Sequence, residues 1–313
     1  MNIQNENVRN ILKTCFREIR KNGPKEVRAA AKLSNLDVLD RFFSDCQRET
    51  FIESRSELSE LLSIGYVCGI LFGFLALAVE HDKVEMLPAD WLGASNPNPN
   101  FVLSSSLIVI SNYSISILKL VESGLNTPAR SLIRVLLEHC WLLLSILSDR
   151  ELFRLYCQGR ASEEARELWY KHFKPKKLNS HLNAIERRIW FDNNNLMAQT
   201  RETLYNHYSR SVHIDYLTNV LGGFALSSET EYFNTALFGQ LSKSSKIVLK
   251  DSSTVLIYTY STIFGILEKI HKFEIAATGE YFSFTQAMRV PLKGLLLLLV
   301  EYDDLQSEYE MFC

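Results

Sequence analysis

Glycine and proline are scarce in this 313-residue chain, at 13 and 7. Most of them sit at a few apparent breaks, which favours long uninterrupted helices. Charge imbalance is also missing: 34 Lys and Arg stand against 36 Asp and Glu. A net charge of -2 gives no whole-molecule attraction to nucleic acid or an anionic membrane, so any such binding must come from a local patch. The six cysteines (Cys15, Cys46, Cys68, Cys140, Cys157 and Cys313) form no Cys-x-x-Cys pair, which argues against a zinc ribbon or a thioredoxin-type centre. Cys68 and Cys140 lie in apolar runs, where cysteine behaves as a small buried hydrophobe. The opening "MNIQNENVRN" has no apolar stretch of the secretory type. Reduced thiols in a cytoplasmic setting are expected.

Catalytic signatures are missing too. There is no G-x-S-x-G elbow, P-loop or dinucleotide glycine fingerprint, no His-x-x-x-His pair, and not the paired Glu-x-x-His motifs of di-iron bundles. Neither a metal nor a cofactor is expected.

What the sequence does have is helical periodicity from end to end. Helices are expected over 7–21, 25–46 (one or two), 50–82, 101–123, 127–148, 150–173, 181–191, 197–220, 230–246, 250–273 and 284–310, with Pro291 a kink or true start in the last. The fold class expected is all-α: a multi-helix bundle (101–313) with an N-terminal helical subdomain (1–85). The boundary is placed at "MLPADWLGASNPNPN" (86–100), the strongest break in the chain. "KPKKLNSHLN" reads as a loop. Gly124 suits a helix C-terminus, and Thr127 with Pro128 suits the next start, so the flanking helices become antiparallel neighbours.

Residues 61–79, "LLSIGYVCGILFGFLALAV", carry no charge, and Gly65, Gly69 and Gly73 recur every four residues. That pattern fits a membrane span. Acidic residues at both ends and no Lys/Arg bias favour instead a central buried helix whose glycines admit a crossing helix.

Two polar stripes stand out. In "ARSLIRVLLEHCWLLLSIL" (129–147), Arg130, Arg134 and Glu138 fall on one line of an apolar helix, and Trp141 continues it. Buried charges survive only if paired or facing a wet cavity. In "TLYNHYSRSVHIDY" (203–216), Tyr205, Ser209 and His213 repeat the same spacing, with Tyr216 between them on the wheel. These groups can complete a network with guanidinium and carboxylate. The two stripes are expected to face each other across one polar pocket, with Arg130, Glu138 and His213 in catalytic roles and Arg134, Tyr205, Ser209 and Tyr216 binding a ligand. A buried ion-pair network that only fixes helix register is the structural alternative.

The pairing of "GLNTPARSLIRVLLEHCWLLL" with "LYNHYSRSVH" resembles a bacterial helical family known as domain of unknown function 5677. Its A-R-x-L-x-R-x-x-x-E and Y-x-x-x-S-x-x-x-H helices match Arg130, Arg134, Glu138, Tyr205, Ser209 and His213 over about residues 101–220. The resemblance implies a helical fold and a shared site, but no activity.

A second resemblance is to metal-independent ribonucleases of the HEPN type, which use Arg-x(4–6)-His. "RETLYNH" places Arg201 and His207 at that spacing, although Glu202 stands where the family has Asn, Asp or His. Arg130 and His213 could fill the same roles. A basic region holding Lys171, Lys174, Lys176, Lys177, Arg187 and Arg188, interleaved with aromatics, could contact nucleic acid. Glu163, Glu164, Glu167 and Glu186 dilute it towards an ordinary solvated face. The acidic end 301–310 reads the same way.

The function expected is therefore an intracellular bacterial helical protein that binds a partner or nucleotide-containing ligand within a defence or toxin-like system. A HEPN-like endoribonuclease and a membrane-associated effector through 61–79 are the alternatives. A homodimer through apolar faces 61–79 and 292–300 is a further expectation, with RNA as another candidate partner.

Overall fold

The computed structural model describes residues 6–30, 34–87, 91, 98–159, 161–190, 196–212, 224–226, 233–235, 239–273 and 279–302. The protein is all-α. In chain order the helices are α1 (Glu6–Asn22), α2 (Lys25–Ala30), α3 (Ser34–Glu57), α4 (Ser59–Glu80), α5 (Pro99–Glu122), α6 (Asn126–Ser148), α7 (Arg150–Gln158), α8 (Ser162–Leu168), α9 (Pro175–Ile189), α10 (Leu196–Arg210), α11 (Lys243–Gly265), α12 (Glu280–Ala287) and α13 (Arg289–Val300). A π-helical turn at Trp169–Phe173 joins α8 to α9, and another at Ile266–Ile270 extends α11. A short antiparallel hairpin pairs β1 (Phe224–Leu226) with β2 (Phe233–Thr235).

The apolar run 61–79 is the centre of the core. α4 packs against α5, α11 and α12, and Phe72 and Leu75 are fully buried. Its glycines set the distance to α5. A Cβ at Gly65 would come within 2.5 Å of Leu118, and one at Gly69 within 2.6 Å of the Ser114 hydroxyl. The Gly69 carbonyl also accepts from Ser111 Oγ at 2.9 Å. Elements on both sides of the 86–100 break, α4 before it and α5, α6 and α11 after it, share one hydrophobic core.

Length and composition would let three described helices (α4, α5 and α6) cross a membrane, as would α12 and α13 taken together across their 41° bend. Sequence reading singled out only the first of these. In the fold, 61% of the most apolar window of α4 is buried among other helices, against 39% for α5.

α6 is fixed at its start by close backbone contacts. Gly124 ends α5 at φ +70 and Gly239 lies against it at φ +100; a Cβ at Gly239 would sit 2.0 Å from the Ser123 carbonyl oxygen. Only glycine fits at either position. Asn126 then ties the starts of α6 and α11 together. Its Nδ2 donates to the Gln240 carbonyl at 3.1 Å, and its Oδ1 accepts from Ser245 Oγ at 2.9 Å.

Several boundaries differ from the sequence expectation. The expected loop 174–183 is largely α9, because Leu178, Leu182, Ile185 and Ile189 make a continuous buried face. The expected helix 197–220 ends at Arg210 in the described residues. Part of the expected helix 230–246 is strand β2, and α11 starts only at Lys243 behind a Ser242–Ser245 capping box. The expected helix 284–310 is, in its described part, two helices that meet at Met288, three residues before Pro291, and residues 303–310 lie outside the described residues.

Candidate functional site

α6 turns its apolar face (Ile133, Leu137, Cys140, Leu144) into the core and its polar line towards α10. Arg130, Arg134 and Glu138 all lie half-buried along that flank. Arg134 Nη2 donates to Glu138 Oε1 at 3.2 Å and to the Tyr205 hydroxyl at 2.7 Å. The same hydroxyl donates to Glu138 Oε1 at 3.2 Å, which closes a three-membered ring of hydrogen bonds between two helices. Aromatic packing holds the ring in place. The Arg134 guanidinium carbon lies 5.0 Å from the Tyr205 ring centroid, and Trp141 packs on the same ring with centroids 5.5 Å apart. Burial, and then the Glu138 carboxylate, raise the Tyr205 phenol above its ordinary pKa, so it remains a donor.

One turn towards the start of α6, Arg130 Nη2 lies 3.3 Å from His207 Nε2. Burial pushes the His207 imidazole down to about 4, with the charges of Arg130 and Arg210 acting in the same direction. The ring is therefore neutral near pH 7. It accepts from Arg130 through Nε2, which puts its proton on Nδ1. Behind this layer, the buried Tyr208 hydroxyl donates to Asp251 Oδ2 on α11 at 2.6 Å. Ser131 Oγ donates to the Ser211 carbonyl at 2.9 Å and secures the end of α10 against α6.

Of the expected stripe residues, Arg134, Glu138 and Tyr205 come together. Arg130 lies beside them, but its described partner is His207. His213 and Tyr216 fall outside the described residues. Ser209 does not join: its hydroxyl donates to the Tyr205 carbonyl of its own helix at 2.6 Å. This is the local back-bond that serine makes when no external partner competes.

The expected ribonuclease pair is separated. Arg201 is 4% exposed and faces away from His207, into the α9–α11 interface. Its Nη1 contacts Glu186 Oε1 and the Tyr258 hydroxyl, its Nε donates to Asn179 at 2.8 Å, and its Nη2 donates to Asn183 at 2.6 Å. Tyr258 also donates to Glu186 Oε1 at 2.5 Å. A guanidinium whose donors are spent on buried partners has nothing left to offer a phosphorane.

Lys171, Lys174, Lys176, Lys177, Arg187 and Arg188 are all exposed, on α9 and the turn before it. Among the described residues no cluster of three or more His, Cys, Asp and Glu could hold a metal ion. The single Glu-x-x-His spacing, Glu268 and His271, is used otherwise. Glu268 pairs with Arg289, and His271 Nε2 is 2.7 Å from the Leu147 carbonyl.

Sequence reading missed His207 as the partner of Arg130, because it lies about 200° round the helix from Tyr205. Only the reach of a long Arg side chain joins the two. It also missed Tyr208, Asp251 and the Asn179–Asn183 pair. In the last case the four-residue spacing on a polar helix edge was the available signal.

Set against known protein families, curated proteins and solved structures, the chain gives no match. Fold and site together define an all-α bundle with a half-open Arg–Glu–Tyr cluster beside an Arg–His pair.

Proposed function

We propose that the α6–α10 cluster binds a small anionic ligand of the phosphate- or nucleotide-containing type. In this reading Arg130 and Arg134 supply charge and Tyr205 supplies a directional hydroxyl, its ring held from behind by the buried Trp141. One observation carries it. The Arg134–Glu138 pair keeps 23% and 22% of its side-chain surface open to solvent, although it sits on an otherwise apolar helix. A ligand anion can take Arg134 and the Tyr205 hydroxyl from Glu138, and the released carboxylate, with 22% of its side chain already open to solvent, is then paired by water. In the cell, the protein would be a ligand-binding component of a bacterial defence or toxin-like system.

Binding is favoured over cleavage. Metal-independent RNA cleavage needs an acid or base with a pKa near the working pH. An imidazole held near 4 is a weak base at pH 7 and carries almost no proton to donate.

Calorimetry of the whole chain with inorganic phosphate, AMP and ATP tests the proposal. A saturable signal that disappears in Arg134→Ala and weakens in Tyr205→Phe supports it. No heat from any of the three ligands at millimolar concentration would sink it.

A further inference from the structure

Folding takes one acid out of the basic stretch around α9 and leaves none on the outward face of the helix itself. Of the four acids that blunt it in sequence, Glu186 is 1% exposed and bound to Arg201. The other three, Glu163, Glu164 and Glu167, lie on α8, upstream of the π-helical turn. At 100° per residue, the outward 120° of α9 contains Lys176, Lys177, Ser180, Ala184, Arg187 and Arg188, all exposed. Four are cations, two are small, and none is acidic. From Lys176 to Arg188 the stripe runs about 18 Å along the helix.

An exposed aromatic ring flanks each end of this stripe. Tyr170, in the turn before α9, is 60% exposed, and Trp190, directly after it, is 43% exposed. Helix stability does not explain the lysines. Lys174, Lys176 and Lys177 crowd a first turn that has no acid and no side-chain cap, where the helix macrodipole disfavours positive charge.

From this we infer that the outer face of α9 binds single-stranded nucleic acid. The cations would track phosphates across the small Ser180–Ala184 saddle, and bases would stack on Tyr170 and Trp190. Electrostatic grooves with aromatic platforms bind single strands in this way. A lipid surface fits less well, because an interfacial helix inserts its apolar face, and Leu178, Leu182, Ile185 and Ile189 of α9 are already in the core. An acidic protein partner is the alternative that competition by poly-glutamate tests. The inference stands apart from the α6–α10 reading.

The test is a fluorescence-anisotropy titration of the whole chain with a labelled 20-nucleotide polyuridine. Competitors are a duplex of equal length and poly-glutamate. Expected are a dissociation constant on the order of 1–100 µM that weakens steeply with salt, and quenching of Trp190. The variant Lys176→Glu, Lys177→Glu, Arg187→Gln, Arg188→Gln should bind at least about tenfold more weakly. It adds acids where the macrodipole favours them, so α9 should stay folded, which circular dichroism checks. Trp190→Ala should cost about fivefold or more, and Trp190→Phe should restore most of it. The quadruple variant should keep its calorimetric response to AMP, which separates this surface from the α6–α10 cluster. Unchanged affinity in the quadruple variant overturns the inference, as does competition by poly-glutamate or duplex as strong as by the single strand.

Discussion

α10 carries two Arg-centred clusters, and they differ in one respect. Arg201 meets Glu186 with 5% and 2% of their side chains exposed, and Asn179, Asn183 and Tyr258 use the remaining donors and acceptors. Arg134 meets Glu138 one turn along α6, with about a fifth of each side chain open, and the two share the Tyr205 hydroxyl of α10. The first is closed and saturated, a clamp between α9, α10 and α11. The second can exchange partners. A charged pair in an apolar setting is therefore no signal of function by itself; the solvent edge separates a clamp from a site.

The largest expected effect falls on the clamp. Arg201→Ala should strand the Glu186 carboxylate and destabilise the fold by roughly 3–5 kcal/mol, read as a fall in the urea midpoint. A loss under about 1 kcal/mol would place Arg201 among ordinary surface pairs. Next comes Arg134→Ala, which should leave stability within about 1 kcal/mol, as for partly exposed pairs, while lowering nucleotide affinity at least tenfold, or about 1.4 kcal/mol. If stability collapses and affinity does not change, the two clusters have the same role.

The third effect is on pH dependence. His207 is held near 4, below its ordinary value, so the unfolded chain binds this proton more readily than the native one. Stability is therefore fully present above about pH 6.5 and falls progressively as pH drops towards 4, by about 2 kcal/mol after allowing for partial solvent screening. His207→Gln should flatten this slope in chemical denaturation between pH 7 and 4. A residual slope will remain, because burial also lowers His139, His181 and His271. The smallest effect is Tyr205→Phe. It keeps the ring against Trp141 and Arg134 but removes the shared hydroxyl, and should cost about 1 kcal/mol of stability, together with a several-fold loss of ligand affinity measured by calorimetry.

The all-α class was legible because a 3.6-residue apolar period runs through nearly every segment. So was the Arg134–Glu138–Tyr205 group, since four-residue spacing places such side chains on one line. α9 begins earlier than the expected helix 181–191: residues 174–183, rich in lysine and asparagine, carry Leu178 and Leu182 at the same helical spacing as Ile185 and Ile189. Arg201 and His207 were paired on spacing alone, yet 600° of helix separates them, which leaves them about 120° apart. The partner of Arg130 could not be read either, because long flexible side chains meet across helices in ways that no wheel records.

The amino-acid order by itself determined the helical class and which residues lie along each polar line, because backbone geometry makes those properties local. It also marked 61–79 for apolar surroundings, because nineteen uncharged positions offer water no charged face. Tertiary structure alone decided that Glu186 is taken out of the basic stripe, that Ser209 turns back on its own helix and that Arg130 meets His207. Those outcomes depend on how helices rotate against one another, which is fixed by packing across the whole core.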